Sequence, residues 1–313
     1  MIISKNSKNY AQPWWDSFNF QLHKYLPEDD GCIFGAIYEY INGKCPAPAD
    51  SNVPRYVIAF RGTHLGLATA VKDVMLDVNC FFNELQESPR SLLAMRFVNE
   101  FVNKNGSSNV WLAGHSLGSA IALIVGRNMM LKKNCSLEAY LFNPPYASFH
   151  IENFCTSMDE DVKYLVRTVR GIFKKALAIA VEARINPQMK EQKTDTLYLL
   201  SRWTPHLFVN PGDFFCSEYI AHFKDRRETA PGTKTPSLAK SCTTKDLFRH
   251  AMGRGDLKDA MHLLPSAVLI VNQSRPHEKP AAIDLINNFL DAHVLCQWWD
   301  REVRCQSTRY VYP

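Results

Sequence analysis

The chain has 313 residues, 46% apolar and 21% charged, with 14 Gly and 17 Pro, a balance that excludes disordered, collagen-like and coiled-coil architectures. Its net charge of +5 is spread along the sequence, without the concentrated basic face of a nucleic-acid binder, so no nucleic-acid partner is expected. Nine cysteines, an odd number with no C-x-x-C pair among them, argue against a disulfide framework and a structural zinc site; reduced thiols are the simplest account.

Met1–Asn9 is polar and basic, and Ala11–Phe20 is broken by Gln12, Pro13, Asp16 and Asn19. No secretory signal is therefore expected, and the cytoplasm is the expected location. Apolar runs such as Leu263–Val271 fall far short of the roughly 18 to 20 residues of a membrane helix, which predicts a soluble protein with at most peripheral membrane contact. In chain order, Tyr56–Phe60 (YVIAF) predicts a strand, and Ser88–Asn103 a helix with apolar Leu92, Leu93, Phe97, Phe101 and Val102. Val110–Ala113 predicts a strand, Leu117–Leu131 a buried helix, and Ala139–Phe142 a further strand. Val166–Ile185 sets apolar residues against Arg167, Arg170 and Lys174. That pattern suits a lid packed over the core, placed at about 160–200, and also a helix lying on an anionic membrane surface. Strands at His206–Val209 and Ala267–Val271 flank an irregular excursion at about 225–245, marked by Pro231, Gly232 and Pro236. Ile283–Ala292 reads as an amphipathic helix. Short apolar strands alternating with helices predict an α/β fold with a mostly parallel sheet. With no linker and no internal repeat, residues 1–313 are expected to form one domain.

The strongest chemical signal is Gly114-His115-Ser116-Leu117-Gly118. A bare G-x-S-x-G match arises by chance in about one chain in ten of this length, but this one lies between a predicted strand and a predicted helix. There the crowding of a sharp nucleophile elbow requires small neighbours. An unreactive serine in a Gly-rich turn fits the same letters. An elbow serine needs a histidine base and an orienting acid, in the chain order Ser, Asp or Glu, His. His23 and His64 precede Ser116 and His115 adjoins it, which leaves His277 after the Ala267 strand and His293 after the Ile283 helix. Spacing does not separate the two. For the acid, Asp213 follows the His206 strand through Asn210-Pro-Gly, and a helix cap for Phe214–Phe223 would explain it equally well. Two N–H donors for an oxyanion are expected from Leu117 and from Thr63 in the Arg61-Gly62-Thr63 loop.

Six ordered segments carry a resemblance: Tyr56–Thr63, Asn109–Gly118, Glu138–Pro145 (EAYLFNPP), Leu207–Asp213, Cys216–Ile220 and His262–Ala267. Together they resemble the plant class 3 lipase-like α/β-hydrolases, the esterase/lipase group, from about Phe34 to Trp299. The resemblance implies an α/β-hydrolase fold, a Ser116 nucleophile and an Asp213 acid. It favours His293, because Ala292-His293 precedes Gln297-Trp298-Trp299 as in the family pattern, although Val294 stands where Gly is usual and Cys296 where a second His is often found. A β-branched Val294 is expected to alter the path of the loop or the room beside the base. His64, His115 and Val294 are the candidate substrate-pocket residues. The implied activity is hydrolysis of a lipid or small apolar ester through an acyl-enzyme, with no metal or organic cofactor. The same triad used for acyl transfer, elimination or cyclisation, and a catalytically silent binding or signalling module, are the alternatives.

Overall fold

The computed structural model describes residues 14–28, 31–41, 53–62, 88–146, 195–213, 215–228, 264–274 and 289–312. Eight strands lie side by side in chain order: β1 Phe20–Pro27, β2 Ile33–Tyr40, β3 Tyr56–Phe60, β4 Val110–His115, β5 Ala139–Phe142, β6 His206–Val209, β7 Ala267–Asn272 and β8 Cys305–Tyr310. Strands β3 to β7 are parallel, while β1 and β2 at one edge and β8 at the other pair antiparallel. The five parallel strands are the five legible as apolar runs in the sequence. Each parallel step needs a crossover connection, and α1 (Pro89–Asn105) and α2 (Leu117–Lys133) supply helices on either side of β4 in the chain.

Helix α1 starts where Ser88 Oγ accepts the Ser91 N–H and Pro89 occupies the first turn, and it stops at Gly106 with φ 84°. Its buried residues Ser91, Ala94, Val98 and Val102 recur every three or four positions and form one inward stripe. Helix α2 is buried almost throughout, from Gly118 to Arg127, and packs on β3, β4, β5 and α1. Along β4, Val110, Leu112 and Gly114 are fully buried and the intervening residues half-buried. One sheet face thus lies in the main core with α1 and α2.

Helix α3 (195–201) leads into β6, and α4 (Glu218–Glu228) follows it. The first four residues of the stretch read from the sequence as irregular, 225–228, belong to α4; the backbone hydrogen-bonding of a helix continues past the point where composition turns polar. Helical residues 289–293 (α5) precede a 3-10 turn at Leu295–Trp299. The expected lid helix Val166–Ile185, the rest of the excursion and the start of the Ile283 helix lie outside the described residues. No helix among the described residues is long and apolar enough to cross a membrane.

Candidate active site

The centre of the sheet ends at Ser116, between the last residue of β4 and the first of α2. The turn is tight enough to force Ser116 to φ 53°, ψ −126°, a conformation that costs a side-chain-bearing residue on the order of 1–3 kcal/mol. Two glycines make it possible. A Cβ on Gly114 would overlap the backbone of Gly118 and Ser119, and one on Gly118 would overlap the Phe60 and Arg61 backbone. The serine N–H is tied to the Phe142 carbonyl of β5 at 3.0 Å, and the Ser119 N–H and hydroxyl both return to the Ser116 carbonyl. The spacing of G-x-S-x-G is therefore the sterics of this turn.

Asp213 lies past the end of β6 and is fully buried. A buried carboxylate is tolerated only where donors replace water, and four do so. Phe215 N–H reaches Oδ1 at 3.0 Å; Asn143 Nδ2 at 2.6 Å, the Cys216 thiol at 3.4 Å and His293 Nδ1 at 2.9 Å converge on Oδ2. Burial, with the adjacent carboxylate, holds the Cys216 thiol well above its usual pKa, so it stays protonated and can donate. The helix after Asp213 begins only at Glu218, so in place of the expected cap Oδ1 closes a local turn with Phe215, while Oδ2 faces His293, where the acid reading needs it.

His293 closes α5. Its ring stacks on Phe289 at 5.4 Å and meets the edge of Phe215 at 5.3 Å, and the residue is 4% exposed. Because a carboxylate only accepts, Nδ1 carries the proton toward Asp213, leaving Nε2 to accept from Ser116 Oγ–H at 3.0 Å. Three residues separated by 97 and 80 positions in sequence thus form one unbroken relay. His277, the other late histidine, lies outside the described residues.

His115 sits beside this relay with its ring centroid 5.0 Å from that of His293. Its Nε2–H donates to the His293 carbonyl at 2.6 Å, pinning the backbone of the residue that bonds Ser116. Burial pushes the His115 pKa down to about 4, and the neighbouring His293 adds to the shift. Val294 adopts φ −65°, ψ 142°, extended backbone open to any residue, and is exposed. With valine at the position where the family pattern has glycine, His293 Nε2 lies 3.0 Å from Ser116 Oγ. Cys296 is exposed on the following turn.

Leu117 opens α2, and its N–H is one of the first-turn amides that have no acceptor within a helix. At the end of β3, Gly62 runs so close to the elbow that a Cβ there would lie 2.7 Å from the His115 carbonyl oxygen and 3.3 Å from Ser116 Cβ. Thr63 and His64 fall just beyond the described residues. Sequence reasoning missed Asn143 and Gln297 as individual residues; the positions of N-P-P after a strand and Q-W-W after the histidine were the only signals.

Five parallel strands, crossover helices and a serine elbow at the C-terminal end of a central strand define an α/β-hydrolase. The family described as Lipase (class 3) matches residues 57–171, from β3 through the elbow. A GDSL esterase/lipase of Arabidopsis thaliana is 32% identical over 312 residues, covering 96% of this chain and 83% of the relative. The chain belongs to this plant lipase-like esterase family. It contains no Gly-Asp-Ser-Leu stretch; its elbow reads GHSLG.

Proposed function

We propose that the protein is a serine carboxylic-ester hydrolase that cleaves a lipid or small apolar ester through an acyl-enzyme on Ser116. The observation that carries this reading is the pair of hydrogen bonds, 3.0 Å from Ser116 Oγ to His293 Nε2 and 2.9 Å from His293 Nδ1 to Asp213. A serine hydroxyl is a weak nucleophile until a base takes its proton, and here an unprotonated imidazole nitrogen is aimed at it.

Ser116 Oγ attacks the ester carbonyl while His293 accepts its proton, and Asp213 stabilises the resulting imidazolium. The oxyanion is held by the N–H groups of Leu117 and Thr63. His293 then donates the proton to the leaving alcohol, and water, deprotonated by the same ring, hydrolyses the acyl-enzyme. His64, His115 and Val294 stand in this reading as the pocket residues nearest the reacting ester. The whole chain is taken as one catalytic domain acting in the cytoplasm.

The test is labelling with a fluorophosphonate probe together with hydrolysis of short- and long-chain p-nitrophenyl esters. Ser116→Ala and His293→Ala are expected to abolish labelling and to lower kcat by at least about 10⁴-fold, whereas His277→Ala labels normally. Labelling that persists in Ser116→Ala, or its absence from the wild type, overturns the reading. Added alcohols or amines that divert most of the acyl group from water would assign the same serine to acyl transfer.

A further inference from the structure

Asn143-Pro-Pro after β5 and Gln297-Trp-Trp after His293 have no part in the reaction above, yet the fold sets Asn143 on Asp213, Trp298 on Asn143, and Gln297 on the carbonyls either side of His293. Asn143 is fully buried and sits at φ 48°, in the left-handed region that asparagine enters far more readily than most side chains. Every polar atom of its side chain is engaged around the relay. Nδ2 donates to Asp213 Oδ2 at 2.6 Å and to the Ala292 carbonyl at 3.0 Å, while Oδ1 accepts the Trp298 indole N–H at 2.7 Å. The indole nitrogen only donates, so it fixes which end of the amide faces the carboxylate.

The Ala292 carbonyl belongs to the peptide that carries the His293 nitrogen. One amide therefore grips both the acid and the backbone of the base. A second amide works beside it: Gln297 Nε2 donates to the Ala292 carbonyl and, at 3.0 Å, to that of Val294, and Gln297 Oε1 accepts from Asn210 at 2.5 Å and Asn272 at 3.1 Å. With His115 on the His293 carbonyl, the three successive carbonyls of residues 292–294 are held by side chains from the end of β4, from the residue after β5 and from the 3-10 turn after His293.

We propose that Asn143 is a positioning residue for the reaction: oriented by Trp298, its amide bridges the Asp213 carboxylate and the Ala292 carbonyl and thereby sets the acid–base geometry. The proposal rests on the serine-hydrolase reading. Asn143 does not touch Ser116 in the structure's hydrogen-bond network, and its effect passes through Asp213 and His293.

The experiment compares the full-length wild type with Asn143→Asp and Trp298→Phe, using p-nitrophenyl ester kinetics and the downfield proton NMR signal of the imidazole N–H bonded to Asp213, identified by its loss in His293→Ala. Asn143→Asp keeps the size, the tolerated backbone and the acceptor for Trp298, but sets a second buried carboxyl against Asp213, where the two share a proton that competes with the His293 N–H for Oδ2. It is expected to lower kcat by about 10²-fold with KM within about threefold, and to shift or broaden the downfield signal. Trp298→Phe removes the orienting N–H together with part of the indole that packs against Phe142 and Phe208. It is expected to lower kcat about tenfold in the same pattern, with the downfield signal as the readout that loss of packing alone would not move, so it carries the test if Asn143→Asp does not fold. Unchanged kcat, or a loss of kcat with the downfield signal unmoved, overturns the positioning role. If the wild type neither labels nor turns over, the hydrolase reading fails, and the signal in the two variants still reports whether Asn143 holds the Asp213–His293 pair.

Discussion

His115 is packed against His293 with its Nε2–H spent on a carbonyl. Charging it would place a cation in a desolvated site beside the His293 ring, and burial takes its pKa from 6.5 to about 4. The consequence for stability has a definite sign. As pH falls through 6.5 the unfolded chain binds a proton that the folded chain refuses until about pH 4, so stability present above pH 6.5 is lost across that window, by on the order of 3 kcal/mol. His115→Gln keeps a donor for the carbonyl and removes the titration. Its melting temperature is expected to fall less than that of the wild type between neutral pH and about pH 4.5, measured by thermal unfolding. Residue identities were legible in the sequence to different depths here. Ser116 announces itself through the sterics of its turn; Asp213 sits in a turn signal that conceals its second role; and His293 is told from His277 by the family pattern of Ala292-His293 ahead of Gln297-Trp298-Trp299 alone, because no rule of spacing or burial within either segment encodes which ring reaches the end of β4.

In α2, Gly126 costs the helix about 1 kcal/mol of propensity relative to alanine, so a surface argument would predict that Gly126→Ala stabilises. The packing argues the reverse. A Cβ at Gly126 would overlap the six-membered ring of Trp203, and that ring is 1% exposed and pinned by its N–H to the Leu137 carbonyl at 2.7 Å. Overpacking of a core that cannot shift costs about 1–3 kcal/mol and outweighs the propensity gain. Gly126→Ala is expected to lower the urea midpoint with an unchanged slope. The elements themselves divide by burial. The five parallel strands and helices α1 and α2 are legible because they must be apolar to sit in the core. Strands β1 (FQLHKYLP) and β8 (CQSTRY) are largely exposed edge strands; β8 carries no hydrophobic alternation to read, and that of β1 stops after Leu22, where the register shifts; β2 is apolar, but Gly35 interrupts its run.

Across the molecule, the sheet is completed at one side by β8, which pairs with the whole of β7 from Ala267–Tyr310 to Asn272–Cys305. Without it β7 would be a long apolar edge with unpaired backbone groups, a template for association. Truncation after Arg304 is expected to shift the chain sharply toward high-molecular-weight aggregate, relative to the full-length protein, in size-exclusion chromatography while the remaining sheet keeps its far-UV circular dichroism. The same strand order explains how the relay joins residues far apart in the chain: parallel strands place their C-terminal ends side by side, so the segments after β4, β6 and β7 that carry Ser116, Asp213 and His293 meet. The sequence by itself determined the alternation of apolar strands and helices and the elbow at Ser116, since both follow from local rules of burial and steric crowding. Only the tertiary structure decided that His293 meets Ser116, that Asp213 divides its oxygens between turn and base, and that Asn143 and Gln297 tie these segments together, because hydrogen bonds between distant segments leave no periodicity in the residues that make them.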